Sequence, residues 1–308
     1  MYDTSQINSL IYRSLGEIPY NIIRIDKGVM TFKFEFTTNL GTYIIRFYPK
    51  SIEDLAPKEY SILTEAYQRH CKVPRVVYIS SDAGWHFIIY EKIEGLDMSA
   101  LFRQLSDHEL KMICDAIVDN IKQLSSVNFG FYGALNDDQN KYVNWNAYLK
   151  QEIINGFSYL NKLSILSTNE IQLLQSYMLD YIKRIVCSQP QLIWSDFKLD
   201  NIIINKKHFA GFIDFEGCMG GDPILSLGYL FARSGNDRFY HLIENNFKKY
   251  FSFDFEHVVF YSIFRLLRLA KFLDKPLPTG IKREPVLSYF NGMDFSIKYV
   301  LTQILQLK

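Results

Sequence analysis

Asp196, Asn201 and Asp214 are the side chains of this chain whose types and spacing are best suited to chemistry. They lie between Leu192 and Pro223, a stretch that reads L-I-W-S-D-F-K-L-D-N-I-I-I-N-K-K-H-F-A-G-F-I-D-F-E-G-C-M-G-G-D-P. Two oxygen ligands about one strand spacing apart can hold a hard cation such as Mg2+, which keeps waters and takes its remaining ligands from substrate phosphates. Asn201 and Asp214 are that pair, and Asp196, five residues before Asn201, is then free to accept a proton from an incoming hydroxyl. The layout suits the movement of a phosphoryl group.

For the pair to meet, the chain must fold back on itself. Leu192–Ile193, Ile202 to Ile204 and Phe209 to Ile213 are apolar runs of strand length, and Asn205-Lys206-Lys207 is a polar turn between the last two. Pairing the second and third runs as a hairpin brings Asn201 and Asp214 side by side at its open end. Asp196 then sits in a loop between strands.

Upstream, Met30, Phe32, Phe34 and Phe36 alternate with Thr31, Lys33, Glu35 and Thr37, the period of two that marks a half-buried strand. Asn39-Leu40-Gly41 turns the chain into a second strand, Thr42 to Tyr48, with Arg46 on the face opposite Tyr43, Ile45 and Phe47. After Pro57, favoured in a first helical turn, Glu59 opens a helix carrying Ile62, Leu63 and Ala66. A strand cation paired to a Glu of the following helix is how kinases hold the alpha and beta phosphates. Val76 to Ile79 and Phe87 to Glu91 read as two more strands around the turn Ser80 to Gly84.

The Asp196 segment resembles that of the aminoglycoside phosphotransferase and choline kinase superfamily, small-molecule relatives of the protein kinases. The family pattern is His-Gly-Asp, four residues, Asn, a hairpin, Asp-x-Glu or Asp-x-Asp, and Gly-Asp-Pro. Asp196 matches its catalytic Asp, Asn201 and Asp214 its metal ligands, and Asp222-Pro223 its last element. Glu216 matches a second acidic position that is often a further contact, beside the plain reading of a solvent-facing carboxylate. The resemblance implies an α+β, bilobal, protein-kinase-like fold. A small antiparallel-sheet, nucleotide-binding lobe would span 1–91, and a larger helical lobe with the catalytic hairpin and acceptor pocket would span 92–308. It also implies Mg2+ as cofactor and ATP or GTP as phosphoryl donor.

Tyr43 to Pro49 resembles the family's Y-x-x-R-x-Y/P, which makes Arg46 the expected phosphate cation, paired with Glu59; Lys50, past Pro49, is the weaker candidate. Glu91 and the following Lys92-Ile93-Glu94-Gly95 resemble the hinge, where backbone groups of Glu91 and Ile93 would bond the base. Side chains do not read the base there, so ATP and GTP are not distinguished. Only Gly28 lies between the first strand, Ile22 to Ile25, and the second, so no G-x-G-x-x-G is present; the amides of Lys27, Val29 or Met30 would meet the phosphates, or none would. Past Gly95 the chain reads as helical except for the catalytic hairpin, with core stripes at Leu110, Ile113, Ile117, Ile121 and Leu124 and at Val259, Ile263, Leu266, Leu267 and Leu273.

Two positions depart from the pattern. Trp194 stands where the family has His, and Ser226 where it usually has the Asp of Asp-Pro-x-x-Asp, the two groups that brace the catalytic loop. Trp keeps one donor without an acceptor, and Ser keeps an acceptor without the charge. A joint change is expected, with the loop held by indole packing and a neutral hydrogen bond.

The acceptor is the least legible part. By the resemblance it sits against the helical lobe, where Trp145, Glu152, Asp237, Glu244 and the Arg265/Arg268 face are candidates, with Trp145 also readable as core. Gly130-Phe131-Tyr132-Gly133 with Trp145 and Tyr148 resembles members that act on hygromycin-like antibiotics and on uncharacterised substrates alike. A polycationic aminoglycoside wants a carboxylate-lined cleft and choline an aromatic cage; Arg265 and Arg268, three apart on one helical face, suit an acceptor bearing a carboxylate or phosphate. The leading reading is an O-phosphotransferase acting on a small-molecule hydroxyl, with an aminoglycoside-type antibiotic or a metabolite such as choline, ethanolamine or homoserine as acceptor. The competing reading is a nucleotide-binding pseudokinase or weak kinase with a scaffolding role. A protein kinase is disfavoured, because Gly221-Asp222-Pro223 arrives soon after Asp214 where an activation segment would stand.

The chain has 308 residues, 48% of them apolar, enough for a substantial core. A net charge of +1 provides no basic field for nucleic acid. Apolar runs fall short of the roughly 18 residues of a membrane span, and Met1-Tyr2-Asp3 opens no basic and apolar leader. Cys71, Cys114, Cys187 and Cys218 have no paired spacing and read as free thiols of a cytoplasmic protein. No protein partner is evident.

Overall fold

The computed structural model describes residues 4–26, 31–82, 85–136, 142–164, 166–234, 237–274 and 302. Gly28, Lys27, Val29 and Met30 lie outside these described residues. Strands β1 (Tyr20–Ile25), β2 (Phe32–Thr38), β3 (Gly41–Tyr48), β4 (Val76–Asp82) and β5 (Trp85–Glu91) form one antiparallel sheet in the order β1-β2-β3-β5-β4. The alternation along β2 and β3 sorts their side chains. Phe36, Ile45 and Phe47 go to one face, where Ile7, Leu10 and Ile11 of helix α1 (Thr4–Leu15) close a small core. Lys33, opposite Arg46 in the register of β2 and β3, goes with it to the other face. There helix α2 (Leu55–Gln68) packs, with Pro57 in its first turn and Glu59 buried.

The rest of the chain is mostly helical. Helices α3 (Met98–Leu101), α4 (Asp107–Leu124), α5 (Trp145–Lys162), α6 (Thr168–Tyr181), α7 (Ile224–Ser234), α8 (Arg238–Phe247) and α9 (Phe255–Asp274) surround the larger core. The expected stripes on α4 and α9 are buried throughout. Ser106 and Glu109 form a capping box that fixes the start of α4, satisfying backbone donors that would otherwise lack partners. Helices α7 and α9 pack against each other, which matters below because each carries an arginine towards Asp196.

Strands β9 (Ile202–Asn205) and β10 (His208–Phe212) form the expected hairpin, turning at Lys206 and Lys207 with φ of 46° and 65°, the pair of left-handed residues a two-residue hairpin turn requires. The expectation that nothing else past Gly95 is extended needs correction. Strand β6 (Leu96–Asp97) adds to β9, and β7 (Gly133–Ala134) and β11 (Met219–Gly221), with β8 (Gln191–Ile193) at the expected Leu192–Ile193 run, form a second three-stranded sheet in the order β7-β11-β8. Strands of two or three residues are too short to carry a periodicity. No described helix is long and apolar enough to cross a membrane.

Candidate active site

The hairpin does what its sequence required of it. The amide of Ile213 donates to the carbonyl oxygen of Asn201 at 3.0 Å, so Asn201 and Asp214 stand at the open end together, and both line one cleft. The Asn201 side-chain amide donates to the backbone oxygen of Asp196 at 3.1 Å and to its carboxylate at 2.7 Å. With that nitrogen engaged, the other amide atom, Oδ1, is the oxygen Asn201 can offer a cation. Asp214 supplies the second, and two hard oxygens beside a cleft open to phosphates are a set that fits Mg2+.

Asp214 is held in the left-handed region at φ 67°, sparsely populated for side chains other than Gly, Asn and Asp. Its neighbour Ile213 is fixed from both sides: its N–H goes to Asn201, and its carbonyl accepts the Trp194 indole N–H at 3.1 Å. The Trp194 ring stacks on Phe212 at 3.9 Å and 18°, and the Ser226 hydroxyl donates to the Trp194 carbonyl at 3.0 Å. The two departures from the family pattern therefore meet at one residue. An indole stack and a neutral hydrogen bond join the loop of Asp196 to the strand end of Asp214, and the Ser195 hydroxyl adds a bond to the Gly217 carbonyl.

Arg46, 1% exposed, gathers the carboxylates of the sheet side. Its guanidinium donates to Glu59 at 2.9 Å, to Asp214 at 3.0 Å, to the Thr31 hydroxyl at 3.0 Å and to Glu216. Burial works against its charge, yet Glu59, Glu216 and Asp214 together raise its pKa well above the ordinary value. Tyr48 donates to the other Glu59 oxygen at 2.7 Å, so that buried carboxylate is satisfied on both atoms. Against the cost of burial, Arg46 and Lys33 hold the Asp214 carboxyl down, whereas burial and the nearby Asp214 push Glu216 up. Glu216 thus belongs to the Arg46 cluster beside Asp214, and is not the solvent-facing carboxylate of the plain reading.

Asp196 has its own cations. Lys198 reaches it at 2.7 Å, Arg233 of α7 at 2.9 Å and Arg265 of α9 at 3.9 Å. Burial alone would raise its carboxyl pKa; Arg233, Lys198 and Arg265 bring it down to about 2. Lys198 also lines the cleft, as does Lys33, whose ammonium is 3.6 Å from Asp214. Neither lysine stood out in the sequence. Lys33 could have been found from the strand alternation that puts it on the Arg46 face. Arg233 had no local signal at all.

The cleft has a volume of about 480 Å³, within the range of small-ligand sites. Ile25, Ile44, Tyr90, Ile93 and Ile213 give it an apolar wall, and Lys33, Lys198, Asn201 and Asp214 a polar end. Ile93 is where the hinge reading put it. Glu91 is not among the lining residues: its side chain turns out to Arg75 at 2.9 Å, and its N–H is taken by the Arg75 carbonyl at 2.9 Å.

Two acceptor candidates are corrected outright. Trp145 is fully buried, its indole N–H on the Tyr261 hydroxyl at 2.8 Å, which in turn donates to Asp222 at 2.8 Å. The ring lies where a Cβ on Gly221 would sit 2.5 Å away, so it packs the Gly-Asp-Pro segment against α5 and α9 and is not a ligand platform. Asp237 caps α8, accepting the Tyr240 N–H at 2.8 Å. Glu152 and Glu244 are likewise engaged, by Lys271 at 2.8 Å and Lys248 at 2.9 Å.

Residues 21–260 match the family described as phosphotransferase enzyme family. A probable aminoglycoside 3'-phosphotransferase of Lactococcus lactis subsp. lactis (strain IL1403) is 28% identical over 154 residues, 49% of this chain and 55% of that protein, so the match spans about half of its length. Among solved structures, a putative fructosamine-3-kinase from Haemophilus somnus 129PT superposes with a TM-score of 0.68 at 13% identity, covering 96% of each chain. A thermostable mutant of the aminoglycoside phosphotransferase APH(4)-Ia in ternary complex with ADP and hygromycin B gives 0.68 at 13% identity, over 95% of this chain and 98% of that one. APH(2")-IIa with streptomycin and ATP gives 0.64 at 18%, over 95% and 96%. These similarities carry the fold, an α+β architecture of the kinase-like kind, and the match over residues 21–260 carries the family: the chain belongs to the phosphotransferase enzyme family.

Proposed function

We propose that the protein transfers the terminal phosphoryl group of ATP or GTP to a hydroxyl of a small molecule, as a cytoplasmic enzyme. The observation that carries this reading is that Asn201 and Asp214 meet at the polar end of one cleft, with the Asp196 carboxylate bonded to the Asn201 side chain at 2.7 Å just behind them. The base would lie against Ile44, Tyr90 and Ile93, with Lys33 and Lys198 facing its phosphates, while Arg46, expected to do so, does not line the cleft and instead holds Asp214 and Glu59. Mg2+ held by Asn201 and Asp214 would supply charge neutralisation on the phosphate oxygens.

Asp196 would accept a hydrogen bond from the acceptor hydroxyl and aim its oxygen in line with the phosphorus. A carboxyl held down to about 2 is a weak base. Its first task is therefore orientation, and the proton reaches it as the new O–P bond forms, which suits the loose transition state of phosphoryl transfer. Positioning and electrostatics supply the rate.

The relatives' acceptors give the first arm of the test. Nucleoside diphosphate release with ATP or GTP is measured against hygromycin B, streptomycin, kanamycin, choline, ethanolamine, homoserine and sugars and their charged derivatives, in wild type and Asp196→Asn. The reading expects acceptor-dependent release that falls by about 10²- to 10⁴-fold in Asp196→Asn. Mg·ATP binding without turnover of any acceptor would favour the pseudokinase reading instead.

A further inference from the structure

The acceptor side of Asp196 is a place of positive charge. Arg233 from α7 and Arg265 from α9 approach the same carboxylate oxygen, at 2.9 and 3.9 Å. Both side chains are about one-fifth exposed, so they are neither free in solvent nor sealed in the core. The Arg265 guanidinium lies over the ring of Tyr229 at 4.9 Å, which fixes its plane from below. One turn further along α9, Arg268 contacts the Tyr148 hydroxyl at 3.2 Å, extending the cationic face.

Lys198 completes the ring around Asp196, but it also lines the nucleotide cleft and so belongs with the phosphates of the donor. Arg233 and Arg265 then remain against Asp196, with Arg268 one turn along α9. Arg265 records their proximity: burial first, then Arg233 and Arg268, lower its pKa, against Tyr229 and Asp196, which raise it. Three carboxylates that the sequence offered to a polyamine are engaged elsewhere. Glu152 is buried with both oxygens on Lys271, at 2.8 and 2.9 Å, Glu244 is held by Lys248, and Asp237 caps a helix.

We propose that the phosphate acceptor is an anionic alcohol, a small hydroxylated molecule whose carboxylate or phosphate is held by Arg265 and Arg233, with Arg268 beside them, while its hydroxyl meets Asp196. Planar guanidinium groups suit such anions because they donate in a fork that matches two oxygens at once. The short distance from Arg265 to Asp196 sets the anionic group only a few bonds from the reacting hydroxyl. On transfer, the hydroxyl oxygen bonds to the terminal phosphorus and the bond from that phosphorus to the bridging oxygen breaks. The hydroxyl proton passes to Asp196 and then to water, and the nucleoside diphosphate leaves. The inference rests on the kinase reading above and adds the charge of the acceptor to it.

The test is acceptor-dependent ADP release from full-length protein with Mg·ATP, using acceptors matched in skeleton and differing in charge. On three carbons these are glycerol, glycerate, glycerol 3-phosphate and 3-amino-1,2-propanediol. On six they are glucose, gluconate, glucose 6-phosphate and glucosamine, with kanamycin and hygromycin B alongside. Turnover of the anionic members at a kcat/KM at least tenfold above their neutral and cationic partners is the expected result, and the carboxylate and phosphate arms tell the two anions apart. In Arg265→Gln the KM for that anion should rise about 10- to 100-fold, Arg265→Lys should recover part of the loss, and a Mg·ATP titration should show the cleft still binding. Neutral or cationic acceptors used as well as or better than anions would overturn the inference and leave the kinase reading standing. An anionic acceptor with an unchanged KM in Arg265→Gln would overturn the placement at Arg265. Mg·ATP binding with no acceptor turned over would overturn both readings together.

Discussion

Trp194 and Ser226 give the sharpest perturbation, because Ser226 holds the carbonyl of residue 194 and the Trp194 indole holds Ile213, next to Asp214. The double replacement Trp194→His with Ser226→Asp restores the pair usual in the family. Trp194 is 2% exposed and stacked at 3.9 Å on Phe212, so His leaves a void where the indole packed, a cost of about 2–4 kcal/mol. Ser226 is 1% exposed and donates to the Trp194 carbonyl. Asp in its place turns a donor into an acceptor facing an acceptor and buries a charge, a cost of about 3 kcal/mol or more. An Asp at 226 needs backbone N–H groups of the loop to turn towards it, and the smaller imidazole is what frees the loop to do so. The double variant should therefore be more stable than the sum of the singles by at least about 1 kcal/mol, and its turnover closer to wild type than either single. The assay is the urea midpoint and kcat of all four proteins. Free-energy changes that add to within about 0.5 kcal/mol would refute the shared brace.

Other outcomes follow from the same geometry. Arg46→Met should strip Glu59 of its buried cation and cost about 3–5 kcal/mol in urea unfolding, with Arg46→Lys losing less because it keeps the charge. Lys33→Met should raise the KM for Mg·ATP about 5- to 10-fold with little change in unfolding midpoint, since Lys33 lines the cleft and sits 3.6 Å from Asp214. Asp196 has a folded pKa of about 2 against an ordinary 3.8, so its contribution to stability is present above about pH 4 and is lost as pH falls towards 2. Wild type should then lose on the order of 2 kcal/mol more than Asp196→Asn between pH 6 and pH 2, read from urea midpoints along the pH series.

The parts of the fold written in local pattern were legible. Alternation gave β2, β3 and the face of Arg46, and an apolar-polar-apolar run gave the hairpin that joins Asn201 to Asp214. Lys33 obeyed the same alternation but was not singled out as a cleft residue. Helix α1 passed unnoticed, although Ile7, Leu10 and Ile11 are spaced for one buried face. Arg233 was out of reach of such reasoning: it stands 37 residues from Asp196 and meets it only because α7 carries it back across the loop. Trp145 stayed open between core and acceptor because an aromatic at a helix start does not announce which way it faces. What turns it inward is the absence of a Cβ at Gly221 together with the Tyr261–Asp222 pair, neither of which is near it in sequence.

The central claim is that Asn201 and Asp214 share one metal beside Asp196. It is tested most directly by anomalous scattering from a crystal grown with Mn2+ and AMP-PNP. One metal peak at roughly 2.1 Å from both the Asn201 oxygen and the Asp214 carboxylate, with Arg46 still on Glu59, is the predicted result. A metal bound to the nucleotide with neither side chain as ligand would contradict it.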